Sequence, residues 1–370
     1  MATRRNYDVI VVGSRIAGAI TATLLARSGH TVLIMDRAHF PSDTLSTHFF
    51  RYPTFHALQR IGVLEDATAL APKLVDNFND VDGHVFTEPV QGPDGPSHYL
   101  CVRRITLDDL LVRRMRGESS LTLREGAHVN DLLMEGGRVT GVRWTESGAS
   151  YSATARVVVG ADGIHSLVAK HVQPPVERSE PVRRAMYYAY FAGFEPKTPP
   201  AAEFHYLGDK LVYVFPTDGG LTLLAVSVPI GEFQEFRKQP EARFRSELEA
   251  MAEIVDRLRR AERIGPVRGT GTIPGWQRLP FGPGWALAGD AEQILDPWSG
   301  QGIDQASTHA VLLADGLHRW LSDESSWEEA MQQYNQQRHK FSDTTFERTC
   351  VSARDFRPMT EAALRKRGYR

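Results

Sequence analysis

Cysteine is scarce: Cys101 and Cys350 are the two in a chain of 370 residues. They make no CxxC pair and have no histidine or cysteine neighbours at metal-ligand spacing. A disulfide framework and a thiolate metal centre are thereby excluded, and reduced thiols in a cytoplasmic protein without a metal site are expected. An excess of charge is also missing, because 43 Lys and Arg stand against 45 Asp and Glu. No global field therefore draws the chain to nucleic acid or to an anionic membrane. No stretch approaches the roughly 18 apolar residues of a membrane span. The start, MATRRNYDVIVVG, leads into an apolar run of strand length that ends in Gly13, which is not a signal-peptide core. Internal repeats and low-complexity tracts are absent. The end of the chain, ALRKRGYR, is locally basic and reads as a solvated terminus.

A nucleotide-type βαβ unit opens the chain. Residues 7–13, YDVIVVG, form a continuous β-branched run suited to a strand buried on both faces. AGAITATLLARSG follows with Ile20, Leu24 and Leu25 at helical spacing and Gly29 as the stop. HTVLIMD supplies the second strand. In such a unit the first glycine makes the tight turn and the third permits close helix–strand packing, places held here by Gly13 and Gly18. Arg15 stands where the middle glycine is usual. It gives up close backbone approach but carries a permanent charge able to fork onto phosphate oxygens. Ser14, Ile16 and Ala17 complete the turn, whose helix N-terminus favours anions. Asp36 ends the second strand at the place of a ribose-binding carboxylate. A two-glycine turn that serves packing alone is the competing reading of this fragment.

Two further signatures follow. VVVGADGIHSLVAKHV places Asp162 and Gly163 between a strand and a helix, and GWALAGDAEQILDPWSGQGIDQAS runs a buried strand into Gly289 and Asp290. Gly300, Gln301 and Gly302 then open a long helix whose first amides face outward to an anionic or carbonyl ligand. From about residue 180, short aromatic and β-branched strands alternate with Pro/Gly turns, the pattern of an antiparallel sheet. Charged helical stretches are expected over 231–263. The predicted fold is α/β, a Rossmann-like domain with an inserted antiparallel-sheet substrate domain. The first comprises 1–75, 98–178 and 270–350 and the second 76–97 and 179–269, with 351–370 as a C-terminal tail.

The three signatures in this order, with Arg104 and Leu107 in an Arg-x-x-Leu helix start, resemble the FAD-dependent monooxygenases related to para-hydroxybenzoate hydroxylase. Geranylgeranyl reductases and flavin-dependent halogenases are relatives of that family. The resemblance implies FAD as cofactor. It implies Asp36 and Arg37 on the adenosine, Arg104 on the sugar-phosphate, Val129 on the adenine through its backbone, and Asp290 on the pyrophosphate–ribityl region. Gly300, Gln301, Gly302 and Ile303 would lie at the pyrimidine edge of the ring, and Asp296 and Pro297 would shape an oxygen pocket. His48, in DTLSTHFFR, is the candidate acid–base group because imidazole titrates near neutral pH; a purely structural hydrogen-bond partner is the alternative. His205, Tyr206, Tyr213 and Phe215 would line a substrate wall, or simply fill an aromatic core.

The implied reaction is hydroxylation of an aromatic or polyketide-like small molecule through a flavin C4a-hydroperoxide. NAD(P)H would dock transiently as reductant, or a partner flavin reductase would deliver electrons, since no separate nicotinamide domain is visible. Reduction of an isoprenoid double bond is the alternative, because VYVFP is similar to a stretch of the prenyl reductases. A halogenase is less favoured because Trp-x-Trp-x-Ile-Pro is absent, and a non-enzymatic flavoprotein stands last. One departure concerns the third signature, which reads Asp-Ala-Glu-Gln where many hydroxylases have Asp-Ala-Ala-His.

Overall fold

The computed structural model describes residues 5–369. Strand β1 (Arg5–Val12), helix α1 (Ile16–Arg27) and strand β2 (Val32–Met35) form the expected unit. β1 lies between parallel partners, pairing Val9 with Val32 of β2 on one side and with Val157 of β3 (Ala149–Gly160) on the other. That position explains why Val9, Ile10 and Val11 are all fully buried and why the segment is apolar without alternation. Leu121–Arg124 extends the sheet beyond β2. Trp285–Leu287 pairs in parallel with the end of β3, and a hairpin of His128–Glu135 and Arg138–Glu146 closes the other edge. Helices α1, α2 (Arg104–Arg116) and α3 (Gly302–Leu321) bury Ile20, Leu107, Leu111, Ala310 and Leu317 against one face.

The second sheet has seven strands. β4 (Arg184–Ala192), β5 (Ala201–Leu207), β6 (Lys210–Pro216), β7 (Leu221–Pro229) and β8 (Glu262–Thr270) run in the order β8-β4-β7-β6-β5, followed by Asp76–Val81 and His84–Pro89. Every pairing is antiparallel except that of β5 with Asp76–Val81. Charged helices do occupy most of 231–263, but β8 begins at Glu262, where no strand was expected. Its residues are almost all exposed, so neither alternation nor an apolar run marks it. Period-two geometry divides the side chains of this sheet. Tyr187, Val212, Val214 and Leu224 face three short helices, where Phe236, Phe244 and Ile254 cover them. Met186, Tyr188, Tyr213, Phe215 and Leu223 face the first sheet's loops, against Phe49 and Cys101.

The last described residues are largely exposed, Arg365, Lys366, Gly368 and Tyr369 among them, but the segment that leads to them is docked. Helix α4 (Trp327–Arg354) leads into α5 (Arg357–Lys366), and Phe356 between them is fully buried, its ring 5.0 Å from that of Trp298 and 5.8 Å from that of Tyr206. Of the basic residues at its end, Arg367 finds a partner on the edge strand His84–Pro89, while Arg365 pairs with Glu361 within α5. Arg367 pairs with Glu88 and lies 3.8 Å over Phe86, while Tyr369 packs on His84. No helix among the described residues is long and apolar enough to cross a membrane.

Candidate functional site

The three glycine-bearing turns meet. Gly13 has φ +97°, and a Cβ there would stand 2.3 Å from the Ala161 carbonyl oxygen and 3.0 Å from Asp162 Cα. A Cβ on Gly18 would stand 1.8 Å from the Gly13 oxygen, so α1 can approach β1 only with glycine at that place. Gly289 has φ +64°, and a Cβ there would stand 3.0 Å from the Ala17 Cβ. Backbone bonds stitch the strand ends together, Ala161 N–H donating to Val12 O and Ala288 N–H to Gly160 O. The turns thus cluster at the carboxyl ends of parallel strands around the α1 N-terminus, where open α/β sheets bind ligands.

The individual side chains divide into those spent on the protein and those left for a ligand. Both the N–H and the hydroxyl of buried Ser14 donate to Asp36 Oδ2, at 2.8 and 3.1 Å. Ala127 N–H donates to the Asp36 carbonyl, which sets the Val129 strand beside the Asp36 turn, with Arg37 exposed next to it. Ile16 and Ala17 are buried under the turn. Arg15 is the departure from expectation. Its guanidinium pairs with fully buried Asp108 and donates to Ser42 O, Ser42 Oγ and Asp43 O, all three near 3.1–3.2 Å. Arg104 Nε holds the other Asp108 oxygen at 2.9 Å. The charge expected on phosphate is therefore used to tie loop 42–43 to α2. Asp162 is likewise engaged: it accepts from Ser166 Oγ and from Leu167 N–H, at 2.5 and 2.6 Å, at the start of the helix Leu167–Val172, and burial raises its carboxyl. Its neighbour Gly163 has open space where a side chain would project.

Asp290 is left free. Its carboxylate has no hydrogen-bond or ion-pair partner among the described residues, and it is open to solvent. The surrounding protein nonetheless desolvates it enough to raise its carboxyl, with Arg104 and His309 pulling the other way. Accessible yet enclosed describes a group on the floor of a cleft. Across from it, Gly300 takes a left-handed φ of +59° and Gln301 and Gly302 begin α3, with Ile303 buried behind them and open space at Gly302. A free acceptor, an exposed helix N-terminus and turns that exclude side chains fit an extended dinucleotide such as FAD.

Several decisive residues lack any sequence signal. Arg51 donates to Ser299 O and Gly300 O and pairs with Asp304 at 2.9 Å, and Thr54 Oγ1 donates to the same aspartate. This clamp fixes the start of α3. Arg103 donates from Nε and Nη2 to Asp218 Oδ2 and from its backbone N–H to Oδ1, joining α2 to the second sheet. Beneath the third turn, Glu292, Gln293, Gln305, His309, Arg338 and Ser342 form a buried polar network.

The expected catalytic and substrate residues fall out unevenly. Asp296 is buried, and desolvation pushes its carboxyl up to about 6, although it accepts from Trp298 N–H; Pro297 follows it in the same turn. His48 is fully buried at φ +62°. Desolvation, then the Arg104 charge, lower its pKa to about 3, so the imidazole is neutral at physiological pH and the premise of its acid–base role is not met. Tyr206, Tyr213 and Phe215 lie on the face turned to the first sheet, Tyr213 donating to Trp298 O. His205 does not join them. Alternation sends it to the opposite face, where it bonds Glu203 at 3.1 Å and Asp80 at 3.5 Å. Burial lowers its pKa but the two carboxylates override that and raise it.

Comparison with known proteins agrees with this geometry. A family model described as FAD binding domain matches residues 6–349. The kynurenine 3-monooxygenase of Salinispora arenicola is 27% identical over 352 residues, covering 85% of this chain and 73% of the relative. A digeranylgeranylglycerophospholipid reductase of Methanococcoides burtonii is 23% identical over 342 residues, covering 89% and 78%. Among solved structures, a myxobacterial chondrochloren halogenase superposes with a TM-score of 0.84 at 23% identity, over 93% of this chain and 81% of that one.

Proposed function

This chain belongs to the FAD binding domain family and is a flavin-dependent oxidoreductase, and from that premise we propose that it is a monooxygenase acting on an aromatic or polyketide-like small molecule. The observation that carries the reading is the aromatic face that the second sheet turns toward the flavin cleft. Buried Phe49, Tyr213 and Phe215 pack there with Phe204 at centroids 4.6–6.3 Å apart, and the partly exposed Tyr190, Phe204, Tyr206 and Trp298 above them offer edges suited to a flat ring. FAD, when bound, would supply the redox chemistry, with NAD(P)H as the proposed reductant and oxygen as the proposed acceptor. A partner flavin reductase could replace direct use of NAD(P)H, and a cytoplasmic location fits that supply.

The chain's own residues bind and orient. Asp290 would offer an acceptor to a cofactor hydroxyl, and Asp36 would hold an adenosine ribose. The Arg51–Asp304 clamp keeps the α3 amides in place for a polar ring edge. Asp296 loses its proton near pH 6, so the charge state of that side of the site changes within the working pH range. Reduction of an isoprenoid double bond is the second reading, favoured by the apolar side chains Leu211, Phe215 and Leu223 on the same face.

Absorbance of the purified protein, followed by NAD(P)H oxidation with and without oxygen across small phenols and prenyl lipids, tests both. Oxygen-dependent oxidation stimulated by a phenol is expected. Oxygen-independent turnover of a prenyl lipid would replace the first reading with the second.

A further inference from the structure

The buried polar network beneath the third turn has a hydrogen-bond direction that can be followed to its end. An Asp343 carboxylate can only accept, so the Gln277 atom 3.3 Å from it is the amide nitrogen, which also donates to Gln293 Oε1 at 2.7 Å. Gln293 in turn donates to Gln305 Oε1 at 3.1 Å, and that oxygen also accepts from Ser342 Oγ at 2.7 Å. The one hydroxyl proton of Ser342 is thereby committed. His309 Nε2, 2.8 Å from Ser342 Oγ, must then be the donor of that contact.

The other ring nitrogen, His309 Nδ1, stands 3.2 Å from Glu292 Oε2. The contact is an ion pair by distance and falls short of a hydrogen bond in angle, and no donor among the described residues reaches Nδ1. Arg338 Nη1, 2.9 Å from Glu292 Oε1, and Tyr334 Oη, 2.9 Å from Oε2, keep Glu292 ionised. A bare Nδ1 would therefore set its lone pair beside a buried carboxylate, and a proton on each ring nitrogen removes that conflict. His309, Arg338 and Glu292 are all fully buried, two cations sharing one anion. Glu177 also takes Arg338, at 2.7 Å, but its side chain is 26% exposed and water shares its charge.

The cleft above has the opposite need. Asp290 is an acid at a turn that has to admit a dinucleotide with two phosphate charges, and Arg15 and Arg104 are both paired with Asp108. Desolvation raises the Asp290 carboxyl, while Arg104 and then His309 pull against that rise across the turn. We propose that His309 is a buried imidazolium that offsets the charge of Asp290 from beneath the third turn, so that an anionic cofactor can approach an acid it would otherwise meet unscreened. His309 touches no ligand in this arrangement and is a positioning residue. Its role rests on the FAD site and is independent of the choice between oxygen transfer and double-bond reduction.

The test has two arms. Nitrogen NMR of the imidazole rings near neutral pH, with the His309 signal assigned by its loss in His309→Gln, should show both ring nitrogens protonated; a ring with one bare nitrogen overturns the proposal. Titration of stripped protein with FAD, followed by quenching of flavin fluorescence, should give binding roughly 3- to 10-fold weaker in His309→Gln, which keeps a donor for Ser342 and loses the charge. In Asp290→Asn, where no charge is left to offset, the same substitution should change FAD affinity by less than about twofold. An equal loss in both backgrounds would make His309 a support of the fold alone, and no loss in either would detach it from the cofactor; both results overturn the proposal. His309→Asn repeats the cycle should the glutamine variant not fold. Unsubstituted protein that takes up no FAD would remove the cofactor site itself, whereas FAD binding that follows this pattern in protein without oxygen-dependent turnover would leave the role of His309 standing and the monooxygenase reading overturned.

Discussion

Replacing Asp290 with alanine should separate cofactor binding from folding, because the carboxylate makes no protein contact that the variant could lose. In the apoprotein the cleft desolvates the group and raises it, so removing it should leave stability within about 0.5 kcal/mol or slightly higher. With FAD bound, the loss is a hydrogen bond to a charged acceptor, about 1.5–3 kcal/mol. That converts to FAD binding weakened roughly 10- to 150-fold. The assay is a pair of measurements on stripped protein: quenching of flavin fluorescence on titration, and thermal unfolding without flavin. Added FAD should raise the melting temperature of the variant less than that of the original, by linkage. Unchanged FAD affinity would refute the assignment of Asp290 to the cofactor. A flavin-free variant that melts several degrees lower would show instead that Asp290 holds the fold.

Gly18→Ala should give protein that is flavin-free or insoluble, since the new Cβ would lie 1.8 Å from the Gly13 oxygen and overpacking of this kind costs about 1–3 kcal/mol or more; a soluble, flavin-loaded variant with an unchanged melt would contradict the turn geometry. Glu292→Gln should destabilise by about 3–5 kcal/mol in chemical denaturation, because it leaves fully buried Arg338 without its buried counter-charge; a loss under about 1 kcal/mol would mean that the network does not depend on that charge. Asp296 gives a pH dependence with a definite sign. Its folded pKa of about 6 lies above the ordinary 3.8, so the stability associated with the neutral acid is complete below about pH 4 and lost as pH rises through about 6, by about 3 kcal/mol at 1.36 kcal/mol per unit. Asp296→Asn should flatten that part of the stability–pH curve, and an unchanged slope would assign the effect elsewhere.

Backbone requirements were legible and side-chain partners were not. Gly13 and Gly18 can be read from sequence because the turn admits no Cβ, and the clash distances follow from that requirement alone. Arg15 shows the limit. Its charge is plain in the sequence, but its partner Asp108 lies 93 positions away and reads as an ordinary polar residue of α2. His48 is similar: an imidazole suggests titration near neutrality, whereas burial and then the Arg104 charge keep it neutral, and contacts with Arg104 and Tyr190, 56 and 142 positions away, give its ring a direction. Strand β8 was hidden because pairing with β4, and not burial, holds it in place. The contact of Arg367 was not legible, since its acceptor Glu88 sits on an edge strand some 280 positions earlier.

The third turn shows why two acids so close in sequence serve different ends. Asp290 and Glu292 both follow the same buried strand, and by residue type either could be the ligand group. Glu292 points inward, where burial alone would raise it but His309 and Arg338 hold it below the ordinary carboxylate range; Tyr334 Oη donates to it at 2.9 Å. Gln293 continues inward, accepting from Gln277 and donating to Gln305, which also accepts from Ser342. The Glu-Gln pair that departs from the hydroxylase pattern is thus matched by residues of α3 and α4, and it ties the turn to both helices. A buried carboxylate of that kind is tolerable only with its partners present, so Glu292, His309 and Arg338 have to be read as one unit. Asp290 has no such partners, and an acid held in a desolvating cleft without a donor is a cost that the fold bears only when a ligand supplies the donor.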